Sequence, residues 1–114
     1  DSYRHREAGA SEVILASANR VAQMTELRGA PEPPLSDLLG RLAPVDLILI
    51  EGYKREPHPK IEAWRKDAKN PLIAPDDPTI RAVASDTDLD LDRPVFDLDD
   101  ASTIAGFIMS EDGM

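Results

Sequence analysis

VDLILIEGYK (Val45–Lys54) sets the expected architecture. From Val45 to Ile50 the chain is nearly continuous apolar sequence, Pro44 precedes it, and Glu51-Gly52 closes it. A run of that length without polar alternation predicts a central parallel strand buried on both faces. Its C-terminal end then carries a carboxylate, Glu51, followed by a glycine that permits close backbone approach to a ligand. Taken alone, the pattern reads equally well as an ordinary buried strand ending in a solvated acid.

Ahead of it, DSYRHREAG (residues 1–9) predicts a polar helix with Asp1 or Ser2 as its cap and Gly9 where it stops. SEVILAS (Ser11–Ser17) predicts a strand, and VAQMTEL (Val21–Leu27) a second strand in preference to a short helix. Pro31, Pro33 and Pro34 make a stiff connector, and SDLLGRL (Ser36–Leu42) predicts a short helix in spite of Gly40. Beyond Lys54, KIEAWR (Lys60–Arg65) alternates as an edge strand does, and IRAVAS (Ile80–Ser85) and PVFDL (Pro94–Leu98) predict further short strands. A last helix over about residues 100–110 places Ile104, Phe107 and Ile108 on one face. Strands alternating with helices predict one α/β domain over residues 1–114, with a mostly parallel sheet and flanking helices.

The chain has 114 residues, 41% of them hydrophobic and 31% charged, which is the composition of a folding domain. Thirteen basic against 22 acidic residues leave a net charge of −9, a surface that repels nucleic acid and anionic membranes alike. The basic residues nevertheless cluster at Arg4, His5 and Arg6 and again from Lys54 to Lys66, which leaves room for a local anion site. There is no cysteine, no apolar run near the roughly 18 residues that span a bilayer, and nothing resembling a signal peptide, so the cytoplasm is the expected location.

In open α/β sheets ligands sit beyond the carboxyl ends of the strands. The polar strand ends here are Ser17, then Glu51-Gly52-Tyr53-Lys54, then Ser85-Asp86. A hydrated Mg²⁺ takes only one or two protein carboxylates, and Glu51 is the candidate. His5 and His58 have no partner at metal-ligand spacing and read as solvated, or at most as phosphate contacts. Asp76 and Asp77 precede Pro78 in a turn, where acids bind their own backbone. Trp64 reads as the cap of an apolar surface or an interface. No serine stands in a nucleophile-elbow context, so no catalytic residue is assigned.

DSYRHREAGA (Asp1–Ala10), VDLILIEGYKREPHPKIE (Val45–Glu62) and AVASD (Ala82–Asp86), in this order and at these spacings, resemble the MobB family of molybdopterin-guanine dinucleotide biosynthesis proteins. The resemblance runs through nearly all of the chain. It implies a P-loop NTPase-like fold that binds GTP with Mg²⁺, forms a homodimer, and assists the partner guanylyltransferase (MobA-type) that attaches GMP to molybdopterin. By the same resemblance Glu51 ends a Walker-B-like strand and is a metal ligand, with Gly52 and Lys54 beside the phosphates. Asp1 helps to hold Mg²⁺, Arg4 reaches the nucleotide, and Ser85 and Asp86 stand where related GTPases recognise the base.

One departure is large, because no G-x-x-x-x-G-K-[ST] loop occurs in these 114 residues. The chain therefore reads as the C-terminal two-thirds of a family member, lacking the first strand, the phosphate-binding loop and the first helix. Two expectations follow: weakened nucleotide binding, with at most slow GTP hydrolysis in the intact parent, and an open sheet edge that favours a homodimer or higher homo-oligomer. The alternative is a nucleotide-free fragment for dimerisation and partner interaction. A signalling receiver domain fits poorly, since the acid at 51 is glutamate, the acidic pair falls at 76 and 77, and the strand over 80–85 ends in serine.

Overall fold

The computed structural model describes residues 2–113. The backbone divides into two compact units, Asp1–Pro44 and Val45–Met114.

In the first unit, helix α1 (Ser2–Glu7) ends because Gly9 turns left-handed at φ +104°. That turn lets the Ala10 N–H return to the His5 carbonyl and the Gly9 N–H to that of Arg6, both at 3.0 Å, which satisfies the last carbonyls of the helix. Strands β1 (Glu12–Ala16) and β2 (Val21–Thr25) follow as predicted, but they pair antiparallel, with Val13 opposite Met24 and Ala16 opposite Val21. The reason is chain length. A parallel crossover needs a dozen or more residues, whereas only residues 17–20 join these strands. Ser17 closes the hairpin, its N–H donating to the Arg20 carbonyl at 2.9 Å while its Oγ accepts from the amides of Asn19 and Arg20 at 3.3 Å. Val13 is buried; Ile14 and Val21, on the other face of the ribbon, are 65% and 69% exposed. Helix α2 (Leu35–Leu39) begins after Pro34 and is capped by Gly40, shorter than the stretch expected from the sequence.

The second unit is built on a parallel sheet in the order β3 (Lys60–Trp64), β4 (Ile80–Ser85), β5 (Val95–Asp97). An α/β arrangement with a parallel sheet and helices is therefore present, but its central strand is β4. Residues Ala82, Val83 and Ala84 are 0%, 0% and 5% exposed. A register shift between Lys60 and Ile61 leaves Arg81 as an extra residue in β4. The bulge changes which way the following residues face, so Ile80 and Val83 join one cluster with Ala74, packed by Trp64, Leu72, Leu89 and Leu91. Trp64 thus caps the core, and its Nε1 donates to the Asn70 carbonyl at 2.8 Å.

The run Val45–Ile50, expected to be the central strand, is not a strand and pairs with none of the described strands. Val45 and Leu49 are 62% and 73% exposed. Apolar composition says that a segment prefers burial; it does not supply the ladder partners a strand requires, and β4 takes both of its own from β3 and β5.

The connection from β3 to β4 holds two single-turn 3-10 helices, Lys66–Ala68 and Ala74–Asp76. It is tied down from the sheet. The Glu62 carboxylate accepts from the Ile73 amide at 2.9 and 3.1 Å and from the Ala74 amide at 2.8 Å. Arg93 Nη1 donates to the carbonyls of Asp77 and Ile80 at 3.0 and 2.7 Å. Helix α3 (Ala101–Glu111) starts where the Asp100 carboxylate accepts the Thr103 N–H at 3.2 Å, and its Phe107 ring meets Phe96 of β5 at 5.3 Å between centroids. No described helix is long and apolar enough to cross a membrane.

Val83 is the largest side chain buried to completion. Replacing it by alanine removes two methyl groups from a dry site, and Val83→Ala should lower the unfolding free energy by about 2 kcal/mol in denaturant titration. A loss below about 0.5 kcal/mol, the range of ordinary surface substitutions, would contradict the central placing of β4.

Candidate functional site

Glu51, Gly52 and Lys54 lie together in the irregular segment that leads into β3, and all three are exposed. Gly52 has φ +85°, a conformation open to glycine at little cost, and no atom lies within 4 Å of where a Cβ would stand. The next residue, Tyr53, is also left-handed at φ +53°, and the Glu56 amide donates to its carbonyl at 3.1 Å, closing a turn around Lys54. The side chains of Glu51 and Lys54 form no hydrogen bond or ion pair among the described residues. The loop thus presents a carboxylate, an unobstructed backbone and an ammonium within four consecutive positions. These groups fit the outer edge of a phosphate with a hydrated Mg²⁺, which needs few protein ligands. Among the described residues there is no group of three or more His, Asp or Glu that would hold a metal without such a partner.

The end of β4 brings Ser85 and Asp86 together and spends both side chains on nearby backbone. Ser85 is buried, and its Oγ accepts the Thr87 N–H at 3.0 Å. Asp86 Oδ1 accepts the Lys66 N–H at 3.1 Å, fastening the first 3-10 turn to the sheet, and the Thr87 hydroxyl also donates to it at 3.1 Å. The Lys66 amide, then the Thr87 hydroxyl and the Arg65 charge, hold this carboxyl below its ordinary 3.8 against a smaller opposing effect of desolvation. Both of these bonds fall on Oδ1, which turns Oδ2 away from the Lys66 amide. No hydrogen bond or ion pair among them joins Ser85 or Asp86 to Glu51 or Lys54. Arg4 is exposed on α1 in the first unit, and Asp1 lies outside the described residues.

Three residues with structural roles went unassigned in the sequence. Lys60 and Glu62 belong to the P-K-I-E stretch, yet both side chains are taken up within the fold, Glu62 by main-chain amides and Lys60 by two carbonyls and the Thr79 hydroxyl. Thr79 is the third: its N–H and hydroxyl donate to Asp77 Oδ1 at 2.9 and 2.6 Å, which is the local acid-to-backbone bond expected of the Asp-Pro turn. The signal for Thr79 was the spacing of two from Asp77. His58 differs from the solvated expectation, since it is half-buried and its Nδ1 is enclosed without a hydrogen-bond partner among the described residues.

Residues 1–86 match the model of the family described as molybdopterin guanine dinucleotide synthesis protein B. A molybdopterin-guanine dinucleotide biosynthesis adapter protein of Haemophilus influenzae is 41% identical over 95% of this chain and 60% of its own length. One of Escherichia coli is 40% identical over 96% of this chain and 64% of its own length. The chain thus spans about three-fifths of the curated relatives it matches. The crystal structure of a MobB protein homologue from Bacillus stearothermophilus superposes with a TM-score of 0.63 at 27% identity, covering 97% of this chain and 83% of that one.

Asp86→Ala should lower the melting temperature at pH 7, because it releases the Lys66 amide. A carboxyl whose folded-state pKa is depressed contributes stability above its unfolded value and loses it as pH falls through the folded one. The gap between parent and variant should therefore be full at neutral pH and close below pH 3.8. A gap that persists unchanged into strong acid would show that the ionised carboxylate is not what holds the turn.

Proposed function

The chain belongs to the family of molybdopterin guanine dinucleotide synthesis protein B, and on that premise we propose that it serves molybdenum cofactor biosynthesis as a GTP-binding adaptor. In this reading it assists the guanylyltransferase (MobA-type) that attaches GMP to molybdopterin, and it acts as a homodimer. The observation that carries the nucleotide part is the Glu51–Lys54 loop, where an uncommitted carboxylate and ammonium flank an open glycine.

Each group has a defined task. Glu51 supplies one oxygen ligand to Mg²⁺, directly or through a water. Gly52 lets phosphate oxygens reach the main chain, and Lys54 offsets their charge locally inside a protein of net charge −9. Mg²⁺, when bound, neutralises the phosphates and orients them. Asp86 has Oδ2 left to accept N–H groups from a guanine edge, and Ser85 keeps the strand end in shape for it. Arg4 as a nucleotide contact and Asp1 as a metal ligand rest on family membership alone. The adaptor role rests on the names of the relatives. Self-association is supported by the exposed Ile14 and Val21 on the hairpin; a single-chain mass by light scattering at micromolar concentration would remove that part.

A second reading, a nucleotide-free module for dimerisation and partner binding, is favoured by the exposed Ile14 and Val21 of the hairpin, apolar side chains that a partner would cover. One experiment separates the two. A ligand that binds only the folded state stabilises it, by about 2.7 kcal/mol at a hundredfold excess over its dissociation constant. Excess Mg-GTP should raise the melting temperature by several degrees, and Glu51→Ala should abolish most of the rise. No shift in the unsubstituted protein leaves the interaction module.

A further inference from the structure

Lys60 opens β3 and is half-buried. Its Nζ donates to the carbonyl of Glu56, to that of His58 at 3.1 Å and to Thr79 Oγ1 at 2.8 Å. An ammonium has three donors, so the whole set is used, and on neutral oxygens with no carboxylate among them. Two of those oxygens belong to the loop ahead of β3; the third belongs to the residue just before β4. Thr79 is itself fixed, because its hydroxyl donates to Asp77 Oδ1 at 2.6 Å. The Lys60 amide adds a bond to the Thr79 carbonyl at 2.8 Å.

The chain of contacts continues from Glu56, whose amide donates to the Tyr53 carbonyl at 3.1 Å. Gly52 and Tyr53 are left-handed in succession, at φ +85° and +53°. Such a conformation is unfavourable for a tyrosine and persists only where its surroundings hold it. Charge-assisted bonds are the strong ones in proteins, and the ammonium of Lys60 makes them to the far end of that turn.

We propose that Lys60 is the positioning residue of the Glu51–Lys54 loop. Its ammonium ties the Tyr53–Glu56 turn to the start of β4, so that Glu51, Gly52 and Lys54 meet the phosphates of a nucleotide in one fixed arrangement. The assignment rests on the nucleotide reading above and deepens it. Lys60 touches no ligand in this scheme; it acts through the turn.

Lys60→Met keeps the aliphatic stem and removes the donors, while Lys60→Arg returns charge and donors. Amide hydrogen exchange and calorimetric titration with Mg-GTP are measured on the protein and on each variant. Losing a charge-assisted bond corresponds to a factor of roughly ten or more in the closed-to-open ratio of the turn. Lys60→Met should therefore speed exchange of the Glu56 amide about tenfold, leave the amides of β4 at the parental rate, and weaken Mg-GTP binding by a similar factor. Lys60→Arg should recover most of both losses. If Lys60→Met also loosens β4, Thr79→Val decides, because it cuts the anchor and spares the loop: faster exchange at Glu56 alone supports the clamp, and the parental rate there overturns it. A freed Glu56 amide with undiminished Mg-GTP affinity overturns the positioning role. If the unsubstituted protein fails to bind Mg-GTP, the nucleotide reading falls and the positioning role with it, while the exchange data still report whether the clamp exists.

Discussion

The backbone of β4 has almost no access to water from Ala82 to Ser85, so its N–H and C=O groups have to be met by neighbouring strands. β3 and β5 meet them, and most of the second unit follows from that requirement. To run parallel to β4, β3 needs a long return, which is supplied by residues 65–79 with their two 3-10 turns. That return has little regular structure of its own, so it is held by side chains reaching from the sheet. Glu62 takes the amides of Ile73 and Ala74, Asp86 takes that of Lys66, and Arg93 takes the carbonyls on either side of the entry to β4. Polar side chains do here what helix packing does in longer crossovers.

This division of labour explains which parts of the fold were legible in the sequence. Elements specified locally were readable: α1 with Gly9 behind it, the two hairpin strands, β3, β4, β5, and α3 with its Asp100 cap. Pairing was less so. The hairpin is antiparallel because its connection is short, which the spacing between Ser17 and Val21 already contained. The run Val45–Ile50 misled for a different reason. Its apolar residues state a preference for burial, but strand formation is decided by partners elsewhere in the chain. IRAVAS was expected as one more short strand, yet it is the one with partners on both sides, its Ala82 and Ala84 are buried, and a bulge at Arg81 brings Ile80 and Val83 into one cluster with Ala74.

The candidate site shows the same limit at finer scale. Glu51, Gly52 and Lys54 stand together because they are adjacent in sequence. Which charged residues are available to a ligand is a tertiary matter: Lys60 and Asp86 look as free on paper as Lys54 and Glu51, but main-chain groups engage the first pair and not the second. Within the motif V-D-L-I-L-I-E-G-Y-K through P-K-I-E, Glu51 and Lys54 are exposed with no hydrogen bond or ion pair among the described residues, whereas Lys60 and Glu62 spend theirs on nearby groups of the fold.

The most direct test of a nucleotide edge at this loop is residue-by-residue mapping of backbone amide chemical shifts in nuclear magnetic resonance as Mg-GTP is titrated in. A nucleotide edge there predicts that the largest displacements fall on Glu51, Gly52, Tyr53 and Lys54, with a second, smaller group at Ser85–Thr87. Displacements centred elsewhere, or none at saturating Mg-GTP, would contradict it.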